Sequence, residues 1–257
     1  MKFWNLKKDD GQRAELYIYG DIEATQFWGD EITPETLVRE LAECSGPLDL
    51  YINSGGGDVF AGQTIYNILK RYDGDITVHI DGLAASIASV IAMAGDKIVM
   101  PENAMMMIHN AWTIAVGNAK DMRRTADDLE RVDGIIRDVY VARSGQKPED
   151  ITAMMDAETW FTAAEALAAG LVDEVEANKA MAASISGNTL TINGEQMDLS
   201  RYAHADRLRG MIPEEAPDPE PEEPDNGEET QPVEDNALED QRRQFDALRR
   251  KIIETTN

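Results

Sequence analysis

The chain predicts an α/β fold built on a largely parallel sheet. Short apolar runs of strand length, such as residues 48–52 and 76–80, alternate with stretches of helical apolar spacing, such as residues 59–71. Glycine-rich and small-residue turns separate them, as in crossover connections. The 257 residues are enough for one sizeable domain with its own core, plus appendages.

Taken in order, residues 15–20 alternate like a strand, and residues 33–44 read as a helix capped by Thr33 with Pro34 in its first turn. A short strand over 48–52 feeds a glycine stretch. The helix over 59–71 carries an apolar stripe of Val59, Ile65, Ile68 and Leu69. A strand over 77–80, a buried helix of small residues over 86–94, a strand over 97–100 ended by Pro101 and a strand over 105–109 follow. Residues 118–144 form a long charged amphipathic helix, with Met122, Leu129, Val132, Ile136, Val139 and Tyr140 as its expected buried side. A helix over 148–155, an extended segment over 158–161, a helix over 163–169 closed by Gly170 and a strand over 171–175 complete the body. Beyond it, residues 189–195 read as a hairpin turning at Asn193-Gly194, either a small attachment or an edge addition to the sheet. The expected organisation is a main domain over 1–178, a hairpin-containing extension over 179–212, an acidic disordered linker over 213–240 and a terminal helix over 241–257. In the last segment and just before it, Leu238, Phe245 and Ile252 recur every seven residues.

Charge and composition narrow the function. A net charge of −25 argues against nucleic acid or an anionic membrane as partner. Residues 213–240 hold 13 acidic residues and no Lys or Arg, so much of this charge is local. No apolar run is long enough to span a membrane, and the N-terminus carries no recognisable secretory signal. The single cysteine, Cys44, fits a reducing cytosol and reads as a packing residue. Three histidines and one cysteine make no zinc pattern, and no metal or organic cofactor is expected.

Two stretches carry chemistry. Asn53-Ser54-Gly55-Gly56-Gly57-Asp58 is followed by Asp81-Gly82-Leu83-Ala84-Ala85-Ser86-Ile87-Ala88-Ser89, where an apolar strand gives way to a helix of small residues. A serine at that junction sits beside unpaired N–H groups that can hold an oxyanion, although capping the helix is the commoner role for such a serine. The glycines can bring further N–H groups to the same point. The P-loop Lys-Ser/Thr is absent, which argues against nucleotide binding. His109 lies on a later strand. His79 competes as base but alternates with Val78 and Ile80 as a sheet residue would. Ser54 reads as a turn residue and Ser89 as a small packing residue.

Asn-Ser-x-Gly-Gly, then Gly-x-Ala-Ala-Ser, then Met-Ile-His resembles the Clp protease proteolytic subunit family, especially the phage and prophage head-maturation forms. Phe3-Trp4, Leu16-Tyr17-Ile18-Tyr19-Gly20 and Ala157-Glu158-Thr159-Trp160-Phe161 strengthen that resemblance, which runs from about Leu16 to Val175. It implies a spiral of ββα units, as in the Clp protease and crotonase folds, with the long helix projecting from it. It also implies a serine endopeptidase in which Ser86 is the nucleophile and His109 the base, with the N–H groups of Gly57 and Ile87 as the oxyanion hole. His204 lies beyond the matched region. The family usually places Asp as the third member. Aligning Ala163-Ala164-Glu165-Ala166 and Gly170-Leu171-Val172-Asp173 with its pattern puts Glu158 there, with Asp156 as the alternative on the same face of an extended segment. The pattern also has Pro where this chain has Gly55, which loosens the loop.

The resemblance further implies a polypeptide substrate and homo-oligomeric, heptameric rings, stacked in pairs, in a bacterial host's cytoplasm or within proheads. It offers two settings: capsid or scaffold maturation, or degradation fed by an AAA+ unfoldase. The alternatives are a crotonase-like acyl-CoA enzyme and an inactive ring or assembly protein.

Overall fold

The computed structural model describes residues 3–8, 13–23, 34–177, 183–192, 195–205 and 208. The expected acidic linker (213–240) and terminal helix (241–257) lie outside the described residues. Strands β1 (Trp4–Lys8) and β2 (Ala14–Tyr19) pair antiparallel, and β2 alternates buried with half-buried residues, as a strand with one face in the core must. Helix α1 (Pro34–Leu41) leads to β3 (Leu48–Ser54), α2 (Val59–Leu69) to β4 (Ile76–Ala85), and α3 (Ile87–Ala92) to β5 (Lys97–Pro101). Each of these crossovers returns the chain parallel, so β2, β3, β4 and β5 stand side by side. After β6 (Met105–Ile108) come α4 (Ala119–Ser144), α5 (Pro148–Asp156), β7 (Thr159–Thr162), α6 (Ala163–Ala168) and β8 (Glu174–Glu176), which closes the sheet beside β5. This is the α/β architecture the sequence predicts, with eight strands in one sheet among the described residues.

Local chemistry starts and stops the helices. The Asp58 carboxylate accepts the Ala61 N–H at 2.7 Å and starts α2. Asn118 and Asp121 form a reciprocal capping box on α4, as do Thr162 and Glu165 on α6. Gly145 ends α4 in the left-handed conformation at φ 68°.

Three expectations need correction. β4 continues past Ile80 to Ala85, because it changes neighbours: residues 77–79 pair with β5 and residues 83–85 with β6. Residues 82–85 are buried on both faces, so they lack the alternation that marks a half-exposed strand. On α4 only Ile136 and Tyr140 are fully buried, and Met122 is 37% exposed, because the first turns extend past the body. Glu158 is not extended: its φ is 45°.

Beyond residue 178 the described residues include a second, three-stranded antiparallel sheet, with strands β9 (Ala183–Ser186), β10 (Thr189–Ile192) and β11 (Glu195–Asp198). The expected hairpin is β10 with β11, and β9 adds a strand that the sequence reading lacks. Leu190, Ile192, Leu199 and Leu208 share an apolar cluster with Leu83, Met107 and Trp160 of the main body. Burying each such aliphatic side chain contributes about 1.5–3 kcal/mol, against about 1 kcal/mol for a typical hydrogen bond. Packing therefore holds this extension in place, and the described residues, all of them within Met1–Glu215, belong to one compact unit.

Candidate active site

Strand order brings the expected residues together. β4 and β6 run parallel, with Ala85 opposite Met107, so the residues that follow the two strands emerge side by side. β7 runs antiparallel to β6, with Thr159 opposite Ile108, which places Glu158 across from His109. Ser86, His109 and Glu158 thus sit at three neighbouring strand ends.

Ser86 occupies the turn between β4 and α3 with φ 55° and ψ −130°, and its side chain caps nothing. The role of helix cap is therefore not the one it plays. Its N–H donates to the Met107 carbonyl at 3.0 Å, and its own carbonyl accepts the Ser89 N–H at 3.0 Å and the Ser89 hydroxyl at 2.6 Å. Buried Ser89 also reaches the Tyr140 hydroxyl on α4 at 2.8 Å. A serine on such a sharp strand-to-helix turn presents its hydroxyl outward. That hydroxyl lies 2.7 Å from His109 Nε2.

The glycine stretch lies against the serine. Gly56 has φ +95°, and a Cβ there would meet Ser86 Cβ at 2.7 Å and the Ala85 carbonyl at 2.8 Å. Gly57 bridges to Ile22, using the Gly56 carbonyl and the Asp58 N–H, which leaves the Gly57 N–H out of that ladder. Ile87 opens α3, so its N–H belongs to the unpaired first turn. Ser54 serves the turn, donating to the Gly20 carbonyl at 2.6 Å and accepting the Gly56 N–H at 3.1 Å.

Burial holds His109 below the ordinary imidazole value, and the negative charge of Glu158 offsets part of that effect. Glu158 is buried, and its carboxylate accepts the Ala203 N–H at 2.9 Å, the His204 N–H at 2.8 Å and the Trp160 indole N–H at 3.3 Å. Asp156, the alternative acid, is placed elsewhere. It ends α5, is exposed, and accepts the Asn110 side-chain amide at 2.8 Å. The left-handed backbone at Glu158 breaks the extended geometry that would have put the two carboxylates on one face. His79 stacks on Tyr51 at 4.9 Å and lies 3.6 Å from Asp49, away from Ser86. Cys44 is half-buried and packs against the core.

Sequence reasoning missed the contribution of residues 202–204. The Tyr202 hydroxyl donates to the Gly55 carbonyl at 2.6 Å, and its ring lies 6.0 Å from that of His109 and 5.5 Å edge-on from Trp160. Burial raises the Tyr202 phenol, which keeps it protonated as a donor. Main-chain donors such as those at 203 and 204 leave no signal in side-chain identity. Among the described residues no group of three or more His, Cys, Asp or Glu could hold a metal ion, and no helix is long and apolar enough to cross a membrane.

Residues 12–179 match the Clp protease family. Curated relatives carry the same theme. An ATP-dependent Clp protease proteolytic subunit of Bacteroides fragilis is 32% identical over 154 residues, covering 57% of this chain and 74% of that protein. The proteolytic subunit 2 of Thermobifida fusca is 34% identical over 152 residues, covering 58% and 74%. A Porphyromonas gingivalis proteolytic subunit is 29% identical over 161 residues, covering 62% and 72%. With about two thirds of its length matched and these strand ends converging, the chain belongs to the Clp protease family and is a peptidase, a hydrolase of polypeptides.

Proposed function

We propose that the protein is a serine endopeptidase, and the Ser86–His109 hydrogen bond at 2.7 Å is the observation that carries this reading. In the tautomer protonated on Nδ1, His109 Nε2 accepts the Ser86 hydroxyl proton as Oγ attacks the scissile carbonyl. The oxyanion forms between the N–H groups of Gly57 and Ile87. The imidazolium, supported by the Glu158 charge, then gives its proton to the leaving amine. Water, activated by the same imidazole, hydrolyses the acyl-enzyme and regenerates Ser86. An acyl-CoA hydratase or isomerase has no use for a serine paired with a histidine, so this pair favours the peptidase over that alternative.

The working form is a ring of copies enclosing the sites, as the resemblance implies. Of the two settings it offers, we favour maturation of a capsid or scaffold protein. The opening Phe3-Trp4, the Ala157-to-Phe161 stretch and the long acidic tail support this reading. Unchanged incorporation into proheads after deletion of residues 213–257 would remove the tail from that role. The chemistry is tested with a fluorophosphonate: the wild-type chain is labelled at Ser86, and Ser86→Ala abolishes the adduct. An unlabelled wild-type assembly would sink the serine mechanism.

A further inference from the structure

Two of the three donors to Glu158 come from outside the stretch that matches the family. The match ends at residue 179, and the Ala203 and His204 N–H groups reach back to the carboxylate from beyond it. A buried carboxylate is stable as a charge only when donors surround it. Here the one donor within the matched stretch, the Trp160 indole, is also the longest contact, at 3.3 Å. Oε2 accepts only the Ala203 N–H among the described residues, so acceptor capacity remains on that oxygen for an imidazole N–H. The same turn reaches the other half of the site through Tyr202, which binds the Gly55 carbonyl two residues before the expected oxyanion donor.

The rest of the extension anchors this turn. Asn53, at the end of β3, donates from its side chain to the Ile192 carbonyl at 3.0 Å. Met197 fills the space where a Cβ on Gly55 would stand, 2.8 Å from that point.

The geometry points to residues 202–204 as a positioning element of the peptidase site: the Ala203 and His204 N–H groups hold the Glu158 carboxylate beside His109, and Tyr202 fixes the glycine loop. This inference rests on the serine-peptidase reading above. The extension does not touch the reacting atoms. It supplies the fixed donors that let a buried Glu serve as the charged partner of the base.

The test is the rate at which a fluorophosphonate labels Ser86 in the full chain, followed as a function of pH. Ala203→Pro removes one donor, and Tyr202 already has the extended backbone that a residue before proline requires, at φ −116° and ψ 130°. The rate is expected to fall at least about tenfold. The acidic limb is expected to move to lower pH, because a carboxylate no longer held in place supports the protonated His109 less. Other charges nearby are Asp156 behind Asn110, Asp133 behind Ala111, and Arg201, Asp21 and Asp198 around Tyr202, and the substitution replaces none of them; the His204 imidazole is exposed. In a Glu158→Gln background the same change should alter the rate less than about twofold, since the group being positioned is gone. Tyr202→Phe should slow labelling about two- to tenfold without moving the limb.

A folded Ala203→Pro chain that labels at the wild-type rate, or faster, overturns the inference, as does an equal effect in the two backgrounds. If Ala203→Pro does not fold, Tyr202→Phe decides, and an unchanged rate overturns it. Wild-type labelling that Ser86→Ala abolishes, with no effect of either variant, sinks only the positioning role. Absence of wild-type labelling sinks the reading of the site, and this inference with it.

Discussion

Ser86 and Glu158 are the two non-glycine residues with positive φ among those described, at 55° and 45°. Such conformations cost of order 1–3 kcal/mol each and persist only where the surroundings enforce them. At Ser86 the Met107 carbonyl and the close approach of Gly56 do so. Gly56→Ala should therefore fail twice, since alanine resists φ +95° and its Cβ would collide with Ser86. We expect about 1–3 kcal/mol lost in denaturant unfolding, together with loss of fluorophosphonate labelling. His109 sets the pH response. The unfolded chain takes up a proton at the ordinary value of about 6.5, whereas the folded chain does so only at lower pH, because burial disfavours the charged ring. Between these two values the unfolded state binds more protons, so the His109 contribution to stability is complete above the ordinary value and is lost as the pH falls through the folded one. Unfolding measured against pH should show that slope in the wild type and lose it in His109→Gln. The acidic limb of the labelling rate should likewise lie below the ordinary imidazole range.

At the scale of elements, α4 offers the simplest stability test. Gly134 sits within it, and a Cβ there would meet nothing within 4 Å. Gly134→Ala should stabilise the chain by about 0.8–1 kcal/mol through helix propensity alone, read by denaturant unfolding, with labelling unchanged. This helix was legible from its charged, amphipathic spacing, because that signal is local. So were the glycine stretch and the strand-to-helix junction at Ser86. The continuation of β4 was not legible, because strands buried on both faces lack a period. The left-handed turn at Glu158 was hidden as well, since nothing in a glutamate announces φ 45°. Glu158 was still picked as the third member, through the alignment of the Ala163 and Gly170 motifs with the family pattern, whereas its main-chain donors at 203 and 204 depend on a tertiary contact. The departure at Gly55 suggested a looser loop. The structure shows its space taken by Met197, from about 140 residues further along the chain.

At the scale of the whole molecule, charge and exposed apolar surface pull in opposite directions. The net charge is −25 and the isoelectric point about 4.3, so copies repel one another at low ionic strength. Trp112, Ile114 and Val116 nevertheless stand 57%, 85% and 97% exposed between β6 and α4, a cost that burial between copies would relieve. If the proposed ring forms through such contacts, sedimentation should show larger assemblies as salt screens the charge, and replacing Ile114 and Val116 with Ser should shift the distribution to smaller species. The root of α4 adds a mechanical consequence. That helix runs 26 residues, about 39 Å, and near its inner end Tyr140 meets Ser89, whose hydroxyl is bonded to the carbonyl of Ser86 itself. The helix thus bears, through two hydroxyl groups, on the carbonyl of the residue proposed as nucleophile, so a tilt imposed on α4 in an assembly would be felt at a backbone held at positive φ.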